Sequence, residues 1–247
     1  MRRPPGGDGQ TGPVGTTAQA EVAARVPGAG ALGLLVPSSA RPLPAVLLAD
    51  PDWTAQRLTE LAVRHRGGDR RTLATVWWYS ASTVLLTPSL AGLVTGRPLS
   101  ARLADTTLAE LPGGTLAAAV SASPGGPLAC ELREALGAVV AAVATAGGMR
   151  SRPLWAIATD SLAGRLLALG QALGDVPAVT ALAGPLAAAV GTPLPAPRYD
   201  DVAGVRFVRR ASCCLLYRLP GGPLCTSCPR RPAAERRGLL ERAARTR

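Results

Sequence analysis

The stretch Ser151-Arg152-Pro153-Leu154-Trp155-Ala156-Ile157-Ala158-Thr159-Asp160-Ser161-Leu162-Ala163-Gly164-Arg165-Leu166-Leu167-Ala168-Leu169-Gly170 sets the fold class. Leu154, Trp155, Ala158, Leu162, Leu166 and Leu167 recur at helical spacing and line one face, and Gly170 is the expected stop. The composition agrees. Aromatic residues make up 3% of the chain, and Ala, Leu and Val carry most of its 47% hydrophobic content. Small apolar side chains suit closely packed helices better than a sheet of β-branched and aromatic residues. At 247 residues the chain has room for one medium domain and a small module.

Upstream of this helix, a second helical pattern spans Cys130 to Ala146. Thr106–Leu111 and Thr115–Val120 flank Pro112-Gly113-Gly114 and predict a β-hairpin. Arg70 to about Leu86, with Trp77-Trp78-Tyr79, predicts a buried helix ending near Pro88. Before it, Asp52 is the expected cap of a helix carrying Leu58, Leu61, Ala62 and His65, closed by Gly67-Gly68. Short apolar runs at 29–50 are punctuated by prolines and fit neither pattern cleanly. Downstream, Asp175 and Pro177 open another helix reaching about Val190. The run Pro193-Leu194-Pro195-Ala196-Pro197 reads as a linker, followed by a short strand at Val205–Val208.

The expected fold class is therefore mainly α (α+β): a helical domain with a small β-hairpin, then a small C-terminal four-cysteine module. Residues 1–20 are expected to form a disordered tail, 21–195 the helical domain and substrate region, 196–230 the cysteine module, and 231–247 a basic tail. The longest apolar run, Ala135 to Gly148, falls short of the roughly 20 residues a membrane-spanning helix needs, so no integral membrane span is expected. Met1-Arg2-Arg3 is followed by Pro and Gly rather than an apolar stretch, which argues against a secretory signal and for the reducing cytoplasm.

The formal charge of +11 is unevenly spread. The chain has no Lys; eleven of its 27 arginines lie after position 205, against two of its 16 acidic residues, Glu235 and Glu241. Arg in place of Lys throughout, beside abundant Ala, Gly and Pro, fits the codon bias of a GC-rich genome. The local excess lies around four cysteines: Cys213-Cys214, ten residues, then Cys225-Thr226-Ser227-Cys228. Thiolates are soft donors for zinc and for iron–sulfur clusters. The two-residue gap lets Cys225 and Cys228 converge, and Leu219-Pro220-Gly221-Gly222-Pro223 supplies the turn that returns the chain to Cys213 and Cys214. Usual zinc sites employ two CxxC-type knuckles, whereas here one is replaced by adjacent cysteines. A Rieske centre needs two histidines and the chain has one. The residues alone leave zinc and a cluster open.

The run from Arg209 to Pro229 resembles the C-terminal domain of FhuF-type ferric siderophore reductases, whose pattern is an adjacent Cys pair, ten residues, then Cys-x-x-Cys-Pro. The resemblance is specific over about twenty-five residues and extends loosely to Arg152-Pro153-Leu154-Trp155. It implies a [2Fe–2S] cluster on Cys213, Cys214, Cys225 and Cys228 and a cytoplasmic one-electron reductase that releases Fe(II) from a ferric siderophore. A ferredoxin or a flavin reductase would then be the electron donor. No GxGxxG fingerprint follows a strand, which argues against direct nicotinamide binding. Two alternatives are a non-enzymatic protein with a structural or redox-sensing cluster, and a zinc-ribbon-like nucleic-acid binder. Against the latter stands the lack of aromatic residues interleaved with the arginines, so no nucleic-acid partner is expected.

Arg209, Arg210 and Arg218 are candidates for tuning the cluster's charge. Tyr217 and Phe207 are expected to shield it. Cys130 is expected to be a small buried core residue, Trp77-Trp78-Tyr79 core packing, His65 a cation at a helix C-terminus, and Ala233–Arg247 a frayed, solvated helix.

Overall fold

The computed structural model describes residues 16–246. The sequence reading is right about the class: the chain is mainly helical with small antiparallel sheets. In order the elements are α1 (Thr16–Ala24), β1 (Arg41–Pro44), α2 (Pro51–His65), α3 (Arg70–Val94), β2 (Thr106–Leu111), β3 (Thr115–Ser121), α4 (Leu128–Gly147), α5 (Arg152–Leu173), α6 (Val176–Ala181), α7 (Ala183–Val190), β4 (Tyr199–Val202), β5 (Val205–Val208) and α8 (Ala233–Arg245).

Helix α3 is the centre, because its small residues let neighbours approach from several sides. Ala74, Ala81, Leu86, Leu90 and Ala91 are buried, and α5 and α4 pack along it. Trp78 is fully buried and donates its indole N–H to the Leu154 carbonyl at 2.9 Å, so the largest core side chain also satisfies an α5 carbonyl. One turn on, the hydroxyls of Ser82 and Ser161 meet at 2.7 Å inside the same interface. Pro88 does not end α3 as expected; it lies within the helix, and the chain continues to Val94. Proline removes one backbone donor, but continuing the helix buries Leu90 and Ala91 against the core, which outweighs that loss.

Three other expectations need correcting. The cap of α2 is Asp50, not Asp52: its carboxylate accepts from the Asp52 and Trp53 amides at 2.8 and 3.2 Å, with Pro51 in the first helical position. Gly170 does not stop α5, which runs to Leu173 and is closed by left-handed Gly174. Gly170 is instead a close-approach position, where a Cβ would stand 2.9 Å from the Val176 Cα as the chain folds back into α6. The tail expected at 1–20 lies outside the described residues up to 15, but from Thr16 the chain is helical. Gln19 on that helix is buried, donating to the Leu34 and Ala119 carbonyls and accepting from the Ser121 amide at 2.7 Å.

The predicted hairpin forms β2 and β3, and the proline-punctuated stretch supplies β1 on the other side of β2. Prolines at 42 and 44 fit that edge position. Glu110 on β2 is almost wholly buried and bonded to Arg41 and Arg57, tying the sheet to α2. The Pro193–Pro197 stretch is docked rather than free: Leu194 is buried, and Pro195 accepts from the Thr159 hydroxyl at 2.9 Å. Strand β5 pairs with β4, and α8 packs Leu240 against Val202 and Phe207. The terminal helix is therefore packed on the sheet, because Leu240, Ala243 and Ala244 give it an apolar face. No helix among the described residues is long and apolar enough to cross a membrane.

Candidate metal centre

The cysteine loop begins where β5 ends. Arg209 donates its amide to the Arg198 carbonyl, prolonging the β4–β5 pairing by one step. The next residues turn onto α5, where buried Asp160 waits: its Oδ1 accepts from the Ala211 amide at 2.7 Å and its Oδ2 from the Ser212 amide at 3.1 Å. Leu215 is left-handed (φ 59°), and the chain then makes a single 3-10 turn over Leu216–Arg218. Leu219 is buried in the main core, which seats the loop against the α2–α3 connection. The return depends on Gly222, whose amide donates to the Leu219 carbonyl; a Cβ there would overlap the Leu216 carbonyl oxygen. A last turn brings the Cys228 amide to the Cys225 carbonyl at 3.2 Å.

This path brings the four thiols together as two pairs. Cys213 Sγ lies 3.8 Å from Cys228 Sγ, and Cys214 and Cys225 lie close enough that each perturbs the other's ionisation. Two thiolates sharing one tetrahedral metal through ~2.3 Å bonds stand about 3.8 Å apart, so the first pair already has the spacing of a shared ion. Among the described residues no group of three or more His, Cys, Asp or Glu side chains gathers around a single point. A two-iron cluster takes its four thiolates two to each iron. Cys214 and Cys228 are buried, and Cys213 and Cys225 are half-buried.

Electrostatics separates the thiols. The Cys225 thiol and then the Leu216 amide and Arg210 pull Cys214 down to about 5 against the cost of burial. Cys225 is pushed up by its neighbour Cys214 and by burial. Burial raises Cys213, and its neighbour Cys228 adds to the effect. The two thiols of this pair are thus shifted in opposite directions, Cys214 toward the thiolate.

Arg210, a sequence candidate, is joined at the thiols by Asp160, which the sequence reading does not single out. The charge pattern of the sequence points to Arg210, whereas Asp160 reads only as part of an apolar helix. The Arg210 guanidinium lies 4.5 Å above the Tyr79 ring, 3.5 Å from Asp160 Oδ2 and 3.6 Å from Cys225 Sγ. Burial pushes the Asp160 carboxyl up, opposed by the two loop amides and Arg210. Burial would weaken the Arg210 cation, but Tyr79, Cys214, Asp160 and Cys225 outweigh it and hold the group more firmly protonated.

Residues 210–230 match the family model for the FhuF 2Fe-2S C-terminal domain. The FhuF-type segment binds a [2Fe–2S] cluster, and the chain is an iron–sulfur protein. No curated protein matches the chain. The match covers the loop and its thiols and leaves Asp160 and Tyr79 on the helical body outside it.

Other expected site residues fall elsewhere. Cys130 is exposed on the first turn of α4, not buried: Leu132, Ala135 and Leu136 carry the inward stripe, which puts position 130 on the outer face. Phe207 packs with Val202 and Leu240 in the small β4–β5–α8 cluster, and the Arg230 guanidinium stands 5.5 Å from the Tyr217 ring. Trp77 and Trp78 are core residues as expected, but Tyr79 is 39% exposed and covers Arg210. His65 lies in the last turn of α2, as expected.

Proposed function

We propose that this protein is a ferric siderophore reductase, with Cys213, Cys214, Cys225 and Cys228 holding the [2Fe–2S] cluster. The observation that carries this reading is the gathering of the four thiols by one loop within the FhuF-type segment, with Cys213 Sγ 3.8 Å from Cys228 Sγ and Cys225 Sγ beside Arg210. When bound, the cluster supplies one electron at a time, which suits conversion of Fe(III) in a hard oxygen-donor chelate to more labile Fe(II). The chain's own residues do the rest. Asp160 fixes the loop on α5, Leu219 anchors it to the core, and Arg210 places a cation beside the thiolates.

The helical body is the proposed substrate region. A cleft between α2, α3 and β3 is lined by Arg57, Glu60, Arg64, His65, Trp77 and Ser80. Arg57 is engaged by Glu60 and Glu110, leaving Arg64 to give the cleft its positive charge beside an aromatic wall. Such a lining suits an oxygen-rich, anionic ferric chelate. The proposed setting is the cytoplasm, with a ferredoxin or a flavin reductase as electron donor.

The test is to prepare the holoprotein without oxygen, reduce it, and mix it with a ferric siderophore and an Fe(II)-specific chelator. Reoxidation of the cluster absorbance with stoichiometric Fe(II) capture is expected. A reducible cluster that is not reoxidised would refute the reductase and leave a structural or sensing centre.

A further inference from the structure

The geometry points to a defined task for Arg210. We propose that its Nη2 group donates a hydrogen bond to a sulfur atom of the bound cluster and thereby raises the cluster's reduction potential. This rests on the ligation proposed above.

The other arginines near the thiols are committed elsewhere. Arg206 forks onto Asp201 at 2.8 Å and reaches the Thr180 hydroxyl. Arg209 is half-exposed beside Asp200, and Arg230 lies near the Tyr217 ring. Arg231 donates to the Cys225 and Leu224 carbonyls and pairs with Glu235. Arg218 contributes positive charge near Asp69 at the start of α3.

Arg210 differs in both burial and satisfaction. Its side chain is 7% exposed, its Nε faces Asp160 and its Nη1 faces Cys225 Sγ. Its Nη2 is shielded from solvent and has no hydrogen-bond partner among the described residues. A buried donor left unmade costs roughly 1–3 kcal/mol, and more on a charged group. The guanidinium is planar, so Nη2 lies at the same end of the fork as the nitrogen that touches Cys225. Tyr79 covers one face of that plane, and Asp160, itself pinned by the Ala211 and Ser212 amides, holds the Nε edge. The cation is thus fixed before the cluster arrives, with one buried donor unspent on the nitrogen adjoining the one that touches Cys225.

Four thiolates on an oxidised [2Fe–2S] core give a formal dianion, and reduction adds one more negative charge. A hydrogen bond and a fixed cation therefore favour the reduced form more than the oxidised form. Lysine would keep the charge but, as a single point donor, could not hold Asp160, Cys225 and a cluster sulfur together.

The test compares the wild type with Arg210→Met after both are reconstituted and their iron and acid-labile sulfide measured. In a redox titration followed by EPR, the variant's reduced-to-oxidised ratio at a fixed potential is expected to fall at least tenfold, a downward shift of 59 mV or more for one electron. ENDOR spectra of the reduced wild type are expected to show a strongly coupled proton that exchanges in deuterium oxide and is lost in the variant. A fully loaded variant whose ratio stays within threefold and whose exchangeable proton persists overturns the assignment. If Arg210→Met takes up no cluster, Arg210→Lys decides on the proton signal: loss supports the assignment and retention overturns it. A wild type that takes up no cluster sinks the ligation reading and the Arg210 role with it, whereas a loaded variant with unmoved potential sinks only the Arg210 role.

Discussion

Replacing Asp160 by Ala should free the cysteine loop from the helical body without unfolding that body. Asp160 is 6% exposed, accepts the Ala211 and Ser212 amides at 2.7 and 3.1 Å, and is the counter-charge of a 7%-exposed arginine. Removing one partner of a buried ion pair costs about 3–5 kcal/mol. The two orphaned amides do not add in full, because the loop can swing out and hydrate them. The cost therefore caps at that range and appears as local opening. At about 1.4 kcal/mol per tenfold, the opening equilibrium should rise roughly 100- to 3,000-fold. Hydrogen exchange read at the Ala211 and Ser212 amides is expected to speed up by that factor, while amides in the middle of α3 keep their protection. Cluster loss to an iron chelator should accelerate in parallel, and Asp160→Asn, which keeps one acceptor, should fall between. If exchange at Ala211 and Ser212 and the rate of cluster loss both stay within threefold of wild type, the carboxylate does not hold the loop.

Cys213→Ser is expected to lower iron and sulfide incorporation to background, whereas Cys130→Ser, exposed on the outer face of α4, should load like the wild type. Asp69 caps α3 through the Thr72 amide and hydroxyl, and those bonds, with the charge of Arg218, hold its carboxyl below its ordinary 3.8. Asp69→Ala should cost about 1 kcal/mol at neutral pH. Because the folded value is depressed, that benefit is complete above pH 3.8 and is lost as pH falls through the folded value, so thermal melts of wild type and variant should converge in acid. Gly170→Ala should lower the melting temperature by a few degrees: overpacking against the Val176 backbone costs about 1–3 kcal/mol, against at most about 1 gained in helix propensity. An unchanged or raised melting temperature would show that α6 yields to the added methyl.

The thiol cluster was legible in the sequence because its parts are local. Cys213 to Cys228 span one loop, and the Pro-Gly-Gly-Pro turn between them states how it closes. The long helices were legible from their 3.6-residue apolar period. The seat of the loop was harder to see, because its partner lies about fifty residues away on α5. A signal was nonetheless present. Thr159-Asp160-Ser161 is a polar triplet inside an apolar helix, and all three residues are buried. Each has a distant partner: Pro195, the Ala211–Ser212 amides and Ser82. Consecutive helical residues point in different directions, so three buried polar neighbours mark a turn enclosed by other chain segments. The misplaced stops at Pro88 and Gly170 have different causes: burial of Leu90 and Ala91 offsets the proline, whereas Gly170 lies within α5 because the chain folding back into α6 approaches too closely for a Cβ.

Gln19 has a consequence for the sheet's outer boundary. Strand β3 lies at the margin of its sheet, where main-chain groups stand ready to pair with any extended segment that comes near. The side-chain amide of Gln19 imitates such a segment, offering N–H to Ala119 and C=O to Ser121 as a neighbouring strand would. One glutamine thus acts as a one-residue strand that seals the margin, and the first helix is the plug that carries it. A chain shortened to begin beyond Ala24 would expose that margin as a template, making self-association the first symptom of its loss.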